Sequence, residues 1–228
     1  MNDQTGVSAR VPIDNVSTAQ AYRFWREANV KFNVPHYRMR KTARIVKRLA
    51  GERDSDLLDL GCGPATLATL LPANIRYHGM DIAIHQPAPN LIQADLRESP
   101  IRFGDQQFDI VVAQGVFEYL GDSQLQKFDE ISKILKADGR FLVSYWNFSH
   151  RKTYVYHAFN NVQPLADFRN DLSQFFKVER YFPASHNWRH TGPNRRITRA
   201  INMPIELHIP LVSPLLAVEY FFICAPRG

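Results

Sequence analysis

The stretch LLDLGCGPATLATLL, Leu57 to Leu71, runs from a short apolar segment through Gly-x-Gly into a second apolar run. A strand that ends in Gly-x-Gly lets the backbone approach a ligand closely, because glycine has no side chain to obstruct it. A helix behind the loop would aim its free N–H groups and its positive dipole end at the same place. Loops of this kind hold nucleotides, and the flanking sequence has to say which one.

The segments around the loop alternate between strand and helix patterns. DLLDL, YHGMDIA, NLIQADL, FDIVVAQG and RFLVSYWNF read as strands. The uninterrupted apolar centre of FDIVVAQG is typical of a parallel strand covered on both faces. PATLATLL reads as a helix, as does DSQLQKFDEISKILKADG, with Leu125, Phe128, Ile131 and Leu135 on one side, Asp122 or Ser123 as cap and Gly139 as stop. Two helices precede the first strand, over 17–34 with Ser17 or Thr18 as cap, and over about 36–50 with Gly51 ending it. Met39, Ala43, Val46 and Ala50 make one face of the second, and Lys41, Arg44 and Arg48 a solvated basic face. The expected fold is α/β, a doubly wound, mostly parallel sheet with N-terminal helices. Residues 1–50 form a tail and a helical lid, and 51–228 the main domain, with a long insertion at about 184–214.

The bulk properties narrow the function. A chain of 228 residues with 45% hydrophobic content suits one domain with a sizeable core. No window approaches the apolar length of a membrane helix. The first residues are polar and lack the apolar centre of a secretory signal, and the two cysteines, Cys62 and Cys224, make no disulfide framework. A cytoplasmic location is expected. The net charge of +6 is concentrated in YRMRKTARIVKR and RHTGPNRRITR, which favours local roles over a nucleic-acid groove along the whole protein.

The identity of the nucleotide turns on acids. A dinucleotide site wants Gly-x-Gly-x-x-Gly, and here Thr66 holds the third place. Asp59, two residues before the first glycine, would repel a pyrophosphate and suit a cationic ligand. Asp81 follows Asp59 by 22 positions, the spacing at which an acid meets ribose hydroxyls. Asp95, after the third strand, can accept from an adenine amino group. A lone aspartate is more often a cap or turn residue, but three at successive strand ends point to an adenosine that carries positive charge and no phosphate.

On LLDLGCGPA, GMDIA, QADL, FDIVVAQGVFEYL and LKADGRFLVSYWN the chain resembles the class I S-adenosylmethionine-dependent methyltransferases, over roughly residues 36–150. The resemblance implies a Rossmann-like sheet whose last strand is antiparallel, and S-adenosyl-L-methionine as cofactor. It implies that Gly61, Cys62 and Gly63 pass under the methionine part, with Asp59 near its ammonium. Asp81 would bind the ribose hydroxyls, Ile82 would pack on the adenine, and Asp95 and Leu96 would hold the adenine edge. Gln114, Gly115 and Phe117 would line the sulfonium. Tyr37 and Arg38 would close over the methionine end, the arginine pairing with its carboxylate. Ala65 departs from the family, which often has a third glycine there.

The acceptor side is less defined. Strand five ends in NFSHR, offering Asn147 and His150, and the long segment before the last strand offers His186, Trp188, Arg189 and His190. His150, His186 and His190 are the candidate catalytic residues, acting as bases toward a hydroxyl. AQGVFEY lacks the Asn/Asp-Pro-Pro-aromatic box of base amino methylases and the carboxylates of metal-dependent catechol-type enzymes, so no metal is expected, and Glu118 reads as a helix-start residue. The expected activity is methyl transfer to a small molecule, anionic or glycan-like, on oxygen rather than nitrogen, by a chain that forms a homo-oligomer or acts alone. The rival readings are an RNA or protein methyltransferase motivated by the basic segments, an NAD-dependent oxidoreductase, and a cofactor-binding partner subunit with no activity of its own.

Overall fold

The computed structural model describes residues 17–147, 163–186, 206, 208–213 and 217–227, apart from the side chains of 185, 186 and 218. Helix α1 (Thr18–Ala28) starts on a capping box: the Ser17 hydroxyl accepts from the Gln20 N–H at 3.3 Å, and the Gln20 side chain accepts from the Ser17 N–H at 3.0 Å. A 3₁₀ turn, Asn29–Phe32, continues it, and α2 (Tyr37–Ala50) follows with His36 as cap. Then come β1 (Ser55–Leu60), β2 (Ile75–Asp81), β3 (Leu91–Gln93), β4 (Phe108–Ala113), α3 (Gln124–Ile134), β5 (Leu135–Trp146), α4 (Leu165–Phe175), β6 (Phe176–His186) and β7 (Ala217–Pro226).

The seven strands form one sheet in the order β3-β2-β1-β4-β5-β7-β6. The first five are parallel, while β7 runs antiparallel between β5 and β6. This is the expected doubly wound sheet with an antiparallel last strand. Alternate residues feed two cores. Leu58, Val111, Phe141 and Phe222 meet α3 and α4, while Leu57, Ile110, Leu142 and Phe221 meet α2. Burial on both faces is why these strands read as continuous apolar runs.

Three expectations need correction. The run after the glycine loop forms only a 3₁₀ turn, Thr66–Leu70, because of the seven residues between Pro64 and Pro72 the first, Ala65, is left-handed and the last, Leu71, is extended. The α3 helix stops at Ile134 rather than Gly139: Leu135 already pairs with Phe108, the register then jumps to Ile110↔Arg140, and Leu125 is 44% exposed instead of buried. Lys41 does not lie on the solvated face with Arg44 and Arg48. It is 1% exposed, and its ammonium donates to the carbonyls of Pro183 at 2.9 Å and Ala184 at 3.1 Å, which ties α2 to the end of β6. Burial pulls its pKa down to about 8.

The larger core is organised by aromatic rings. Phe128 of α3 stacks on Phe117 at 4.5 Å and meets Phe168 and Phe176 edge-on. Phe128→Ala is expected to cost ~3–5 kcal/mol, read as a lower urea midpoint with an unchanged denaturant slope. A loss below about 1 kcal/mol would mean that the ring cluster does not organise this core.

Candidate active site

The loop after β1 is shaped by positive φ angles at Gly61 (71°), Gly63 (54°) and Ala65 (56°). A Cβ at Gly61 would stand 2.4 Å from Val116 Cγ2, so only glycine fits between β1 and the segment leaving β4. Ala65 holds the left-handed conformation at a steric cost of ~1–2 kcal/mol. Without an α-helix behind it, the loop offers no helix dipole, and its ligand has to be gripped by side chains and by loop N–H groups.

The three acids end in different surroundings. Asp81 closes β2 and is 6% exposed. Its carboxylate accepts from the N–H groups of Gly63 and Ala83, both at 2.8 Å, and from the Asn29 amide at 3.4 Å. Burial nevertheless raises its pKa against these donors. Asp59 is 5% exposed and accepts a 2.7 Å hydrogen bond from the Tyr77 hydroxyl. Burial first, with the charge of Asp81 adding to it, pushes its pKa up to about 7. Asp95 pairs with Arg97 at 2.6 Å and accepts from Thr18 at 3.1 Å; burial opposes its charge, but the guanidinium holds it below the usual carboxylate range. Thr18 and Asn29 thus bring α1 and its following turn onto two of the acids.

Beside Asp95 lies an open cleft of about 1170 Å³, lined among others by Thr18, Ile82 and Gln93. Leu96 turns its side chain into the core. Cys62 is buried beneath the loop, its sulfur 2.8 Å from where a Gly79 Cβ would stand, and burial drives its thiol pKa well up. It is a packing residue of the loop.

The other half of the site lies where β4 and β5 end and β7 begins. Gly115 (φ 65°) donates to the Ser144 hydroxyl at 2.9 Å. Gln114 accepts from Thr42 at 3.1 Å, and its buried Nε2 has no partner among the described residues. Arg38 reaches Glu219 of β7 at 2.7 Å and stands 3.9 Å from where a Gly115 Cβ would be. Arg38, expected to pair with the cofactor carboxylate, is engaged here by Glu219. Glu118, expected as a helix-start residue, is fully buried. Its Oε1 accepts from the Trp146 N–H at 2.9 Å, and burial, then the charge of Glu219, raises its pKa to about 8.

Several expected contacts fall elsewhere. Phe117, expected beside the sulfonium, is 0% exposed within the aromatic core. Tyr37 donates to the Ala184 carbonyl at 3.2 Å, at the end of β6. Asn147, offered as an acceptor contact, donates to the Ala217 carbonyl at 3.1 Å and fastens β5 to β7. His186 is the last residue of β6. His150, His190, Trp188, Arg189 and most of the 184–214 insertion lie outside the described residues. The sequence reading missed Asn29 and Glu219. The second had a signal, a single acid inside the apolar strand LAVEYFFICAP.

A methyltransferase-domain profile matches residues 34–182, about two thirds of the chain and all of the glycine loop, Asp59, Asp81 and Asp95. The chain belongs to that family. It is a methyltransferase domain of class I, the S-adenosylmethionine-dependent group with the Rossmann-like sheet. The fold is shared with 1,6-didemethyltoxoflavin-N1-methyltransferase of Burkholderia thailandensis, solved with 1,6-didemethyltoxoflavin and S-adenosylhomocysteine (13% identity, 96% of this chain and 92% of that one, TM-score 0.63). It is shared with the CcbJ methyltransferase of Streptomyces caelestis (12%, 95% and 99%, 0.61). It is also shared with a chain from the Haloferax volcanii complex of the Trm112 methyltransferase activator (16%, 93% and 98%, 0.65). No curated protein sequence matches the chain.

The methyltransferase's described residues fit its cofactor. Its loop is closed to a Cβ at Gly61, and its three acids at the strand ends suit a ligand without phosphate better than a pyrophosphate. Asp59 is a buried acid with no cation among the hydrogen-bond partners described for it. Among the described residues, no group of three His, Cys, Asp or Glu is placed to hold a metal, and no helix is long and apolar enough to cross a membrane.

The Asp59 pKa of about 7 gives a pH dependence. In the ligand-free chain the folded state keeps this proton to higher pH than the unfolded state does, so its contribution to stability falls as pH rises from about 4 toward 7. A cationic ligand favours the charged form, so binding near pH 6.5 should release a proton and tighten as pH rises toward 7. Calorimetry with S-adenosylhomocysteine in buffers of different ionisation enthalpy measures that release. Asp59→Asn should remove it and weaken binding by about tenfold or more. Binding without proton release in the native chain would contradict the assignment of Asp59.

Proposed function

We propose that the chain transfers a methyl group from S-adenosylmethionine to a small molecule with a protic nucleophile. The supporting observation is the enclosure of the polar cluster beside Gly115. Glu118 and Glu219 are 0% and 2% exposed, which suits an acceptor that can be surrounded, whereas a nucleic acid calls for an exposed field of cations. The oxygen preference rested on histidines whose side chains are not described, and the described acceptor end carries carboxylates in their place. The RNA reading rests on the basic helix α2, whose Lys41 is buried, and on RHTGPNRRITR, which lies outside the described residues.

S-adenosylmethionine supplies an already activated methyl group, so the chain has to bind, align and dry the site. Asp81 is the candidate ribose ligand, sharing its oxygens with the N–H groups of Gly63 and Ala83 and displacing the long Asn29 contact. Ile82 and Asp95 lie along the cleft for the adenine, and Asp59 stands near the loop for the ammonium. Gln114 and Gly115 border the acceptor end. The turn that carries Asn29 covers Gly63, and serves as the lid that excludes water.

Calorimetry separates this reading from an oxidoreductase: S-adenosylhomocysteine binds and NAD does not. Asp81→Asn should weaken S-adenosylhomocysteine by about 100-fold, since two charge-assisted hydrogen bonds are at stake. NAD binding in preference to S-adenosylhomocysteine would reject the proposal. The likeness to the chain found with the Trm112 activator raises a second reading, in which a partner chain is needed for turnover. Label transfer from tritiated cofactor to a metabolite panel, with and without a cell extract depleted of small molecules, distinguishes the two.

A further inference from the structure

The acceptor end contains more buried hydrogen-bond acceptors than the protein satisfies. Glu118 Oε2 and Glu219 Oε1 are both buried, and neither has a partner among the described residues. The other oxygen of each is used, one by the Trp146 N–H and one by Arg38. The one guanidinium bonded here belongs to Glu219, while Glu118 is held by a backbone N–H. Their charges reach each other, since Glu219 raises the pKa of Glu118 and Arg38 responds to both. The unpartnered Nε2 of Gln114 lies one residue from Gly115, so a neutral amide is also open at this spot. Buried polar atoms are paired in the great majority of cases, and unpaired ones concentrate where a ligand completes them.

The position of the three residues is specific. Glu219 lies opposite Trp146 in the β5–β7 register, at the carboxyl end of β5. Glu118 sits in the short turn after β4, Phe117–Tyr119. Arg38 comes from the first turn of α2. Ligands of open α/β sheets bind at the carboxyl ends of the strands. The cluster is therefore on the same edge as the cofactor cleft, on the β4–β5 side, where no residue assigned to the adenosine reaches.

We propose that Glu118 and Glu219 form the binding subsite for the methyl acceptor and that they select a protonated amine. The proposal rests on the methyltransferase reading for the word acceptor. An ammonium brings up to three donors and one positive charge. It can satisfy Glu118 Oε2 and Glu219 Oε1 together, and its positive charge favours the ionised form of Glu118, which burial beside Glu219 otherwise opposes. A hydroxyl brings one donor and no charge, so it would leave one acid oxygen buried and unpaired. A carboxylate or phosphate would set like charge against both acids, with only Arg38 in its favour. This places nitrogen ahead of oxygen as the methylated atom: one ammonium proton passes to Glu118 Oε2, and the freed lone pair takes the methyl group as the C–S bond breaks and the neutral thioether leaves, a course closed to an anionic acceptor.

The test uses a matched fragment set of benzylamine, benzyl alcohol and benzoate. Each is titrated into the full chain with and without saturating S-adenosylhomocysteine, and binding is followed by ligand-observed NMR. The amine is expected to bind at least tenfold more tightly than the other two. Glu118→Gln and Glu219→Gln should each remove most of that preference while changing the S-adenosylhomocysteine dissociation constant less than twofold. That second measurement shows that the variants are folded. Glu219→Asp, which keeps the charge, should restore part of the preference. Equal binding of amine and alcohol, or an amine preference that survives both glutamine variants, would overturn the subsite. Failure of S-adenosylhomocysteine to bind would instead overturn the methyltransferase reading, and the amine measurement on the ligand-free chain would still decide the subsite.

Discussion

The carboxylate of Asp81 is the point on which the cofactor half of the molecule turns. Asp81 ends β2, yet one of its oxygens holds the N–H of Gly63 in the loop after β1. That hydrogen bond fixes a loop whose own residues prefer other conformations, including an alanine at φ 56°. The other oxygen holds Ala83, which starts the next connection. A single buried acid thus sets the loop against its neighbouring strand, and any ribose placed there meets a group already oriented by the backbone. The arrangement also explains why the loop works without an α-helix behind it. Alignment comes from a charged hydrogen bond between strands, which is stronger and more directional than the end of a five-residue 3₁₀ turn.

The second organising feature is charge without compensation. Asp59 and Glu118 are buried, and burial raises the proton affinity of both. A protein that needed only stability would replace such groups with apolar ones of similar size, because a buried ion with incomplete pairing costs more than it returns. Here one acid lies on β1 and the other in the turn after β4, the neighbouring strand. One borders the glycine loop, and the other borders Gly115 and Glu219. Under the proposed reading, Asp59 would meet the methionine ammonium and Glu118 an amine acceptor. By contrast Asp95 is neutralised internally by Arg97, as suits a residue that meets an uncharged base.

Much of the fold was legible because its strands are buried on both faces and its helices carry clean caps. FDIVVAQG could be nothing but a central strand, and Ser17 with Gln20 announced the start of α1. The failures have local causes. PATLATLL has helical composition, but the two prolines that bound it limit it to a 3₁₀ turn. LKADG looks like a helix end, but pairing of Leu135 with Phe108 captures it for the sheet. Lys41 looked solvated because helical spacing alone does not reveal that the end of β6 brings two carbonyls over it. The three acids proposed for the cofactor were readable as candidates because each stands at a strand end close in sequence to its neighbours in space.

The acceptor end was not readable for the opposite reason. Arg38, Glu118 and Glu219 are separated by 80 and 101 positions, and they meet only because β7 inserts antiparallel between β5 and β6. A parallel last strand would present its carboxyl end there, with Ala225 and Pro226, and Glu219 would lie toward the opposite edge. Reversing that one strand carries an acid from the final segment of the chain to the edge where chemistry occurs. The same reversal sets Glu219 beside Trp146, whose N–H orients Glu118, so the two acids are positioned through one strand pair. The topology of the last strand, rather than any local motif, is therefore what makes this end of the sheet acidic.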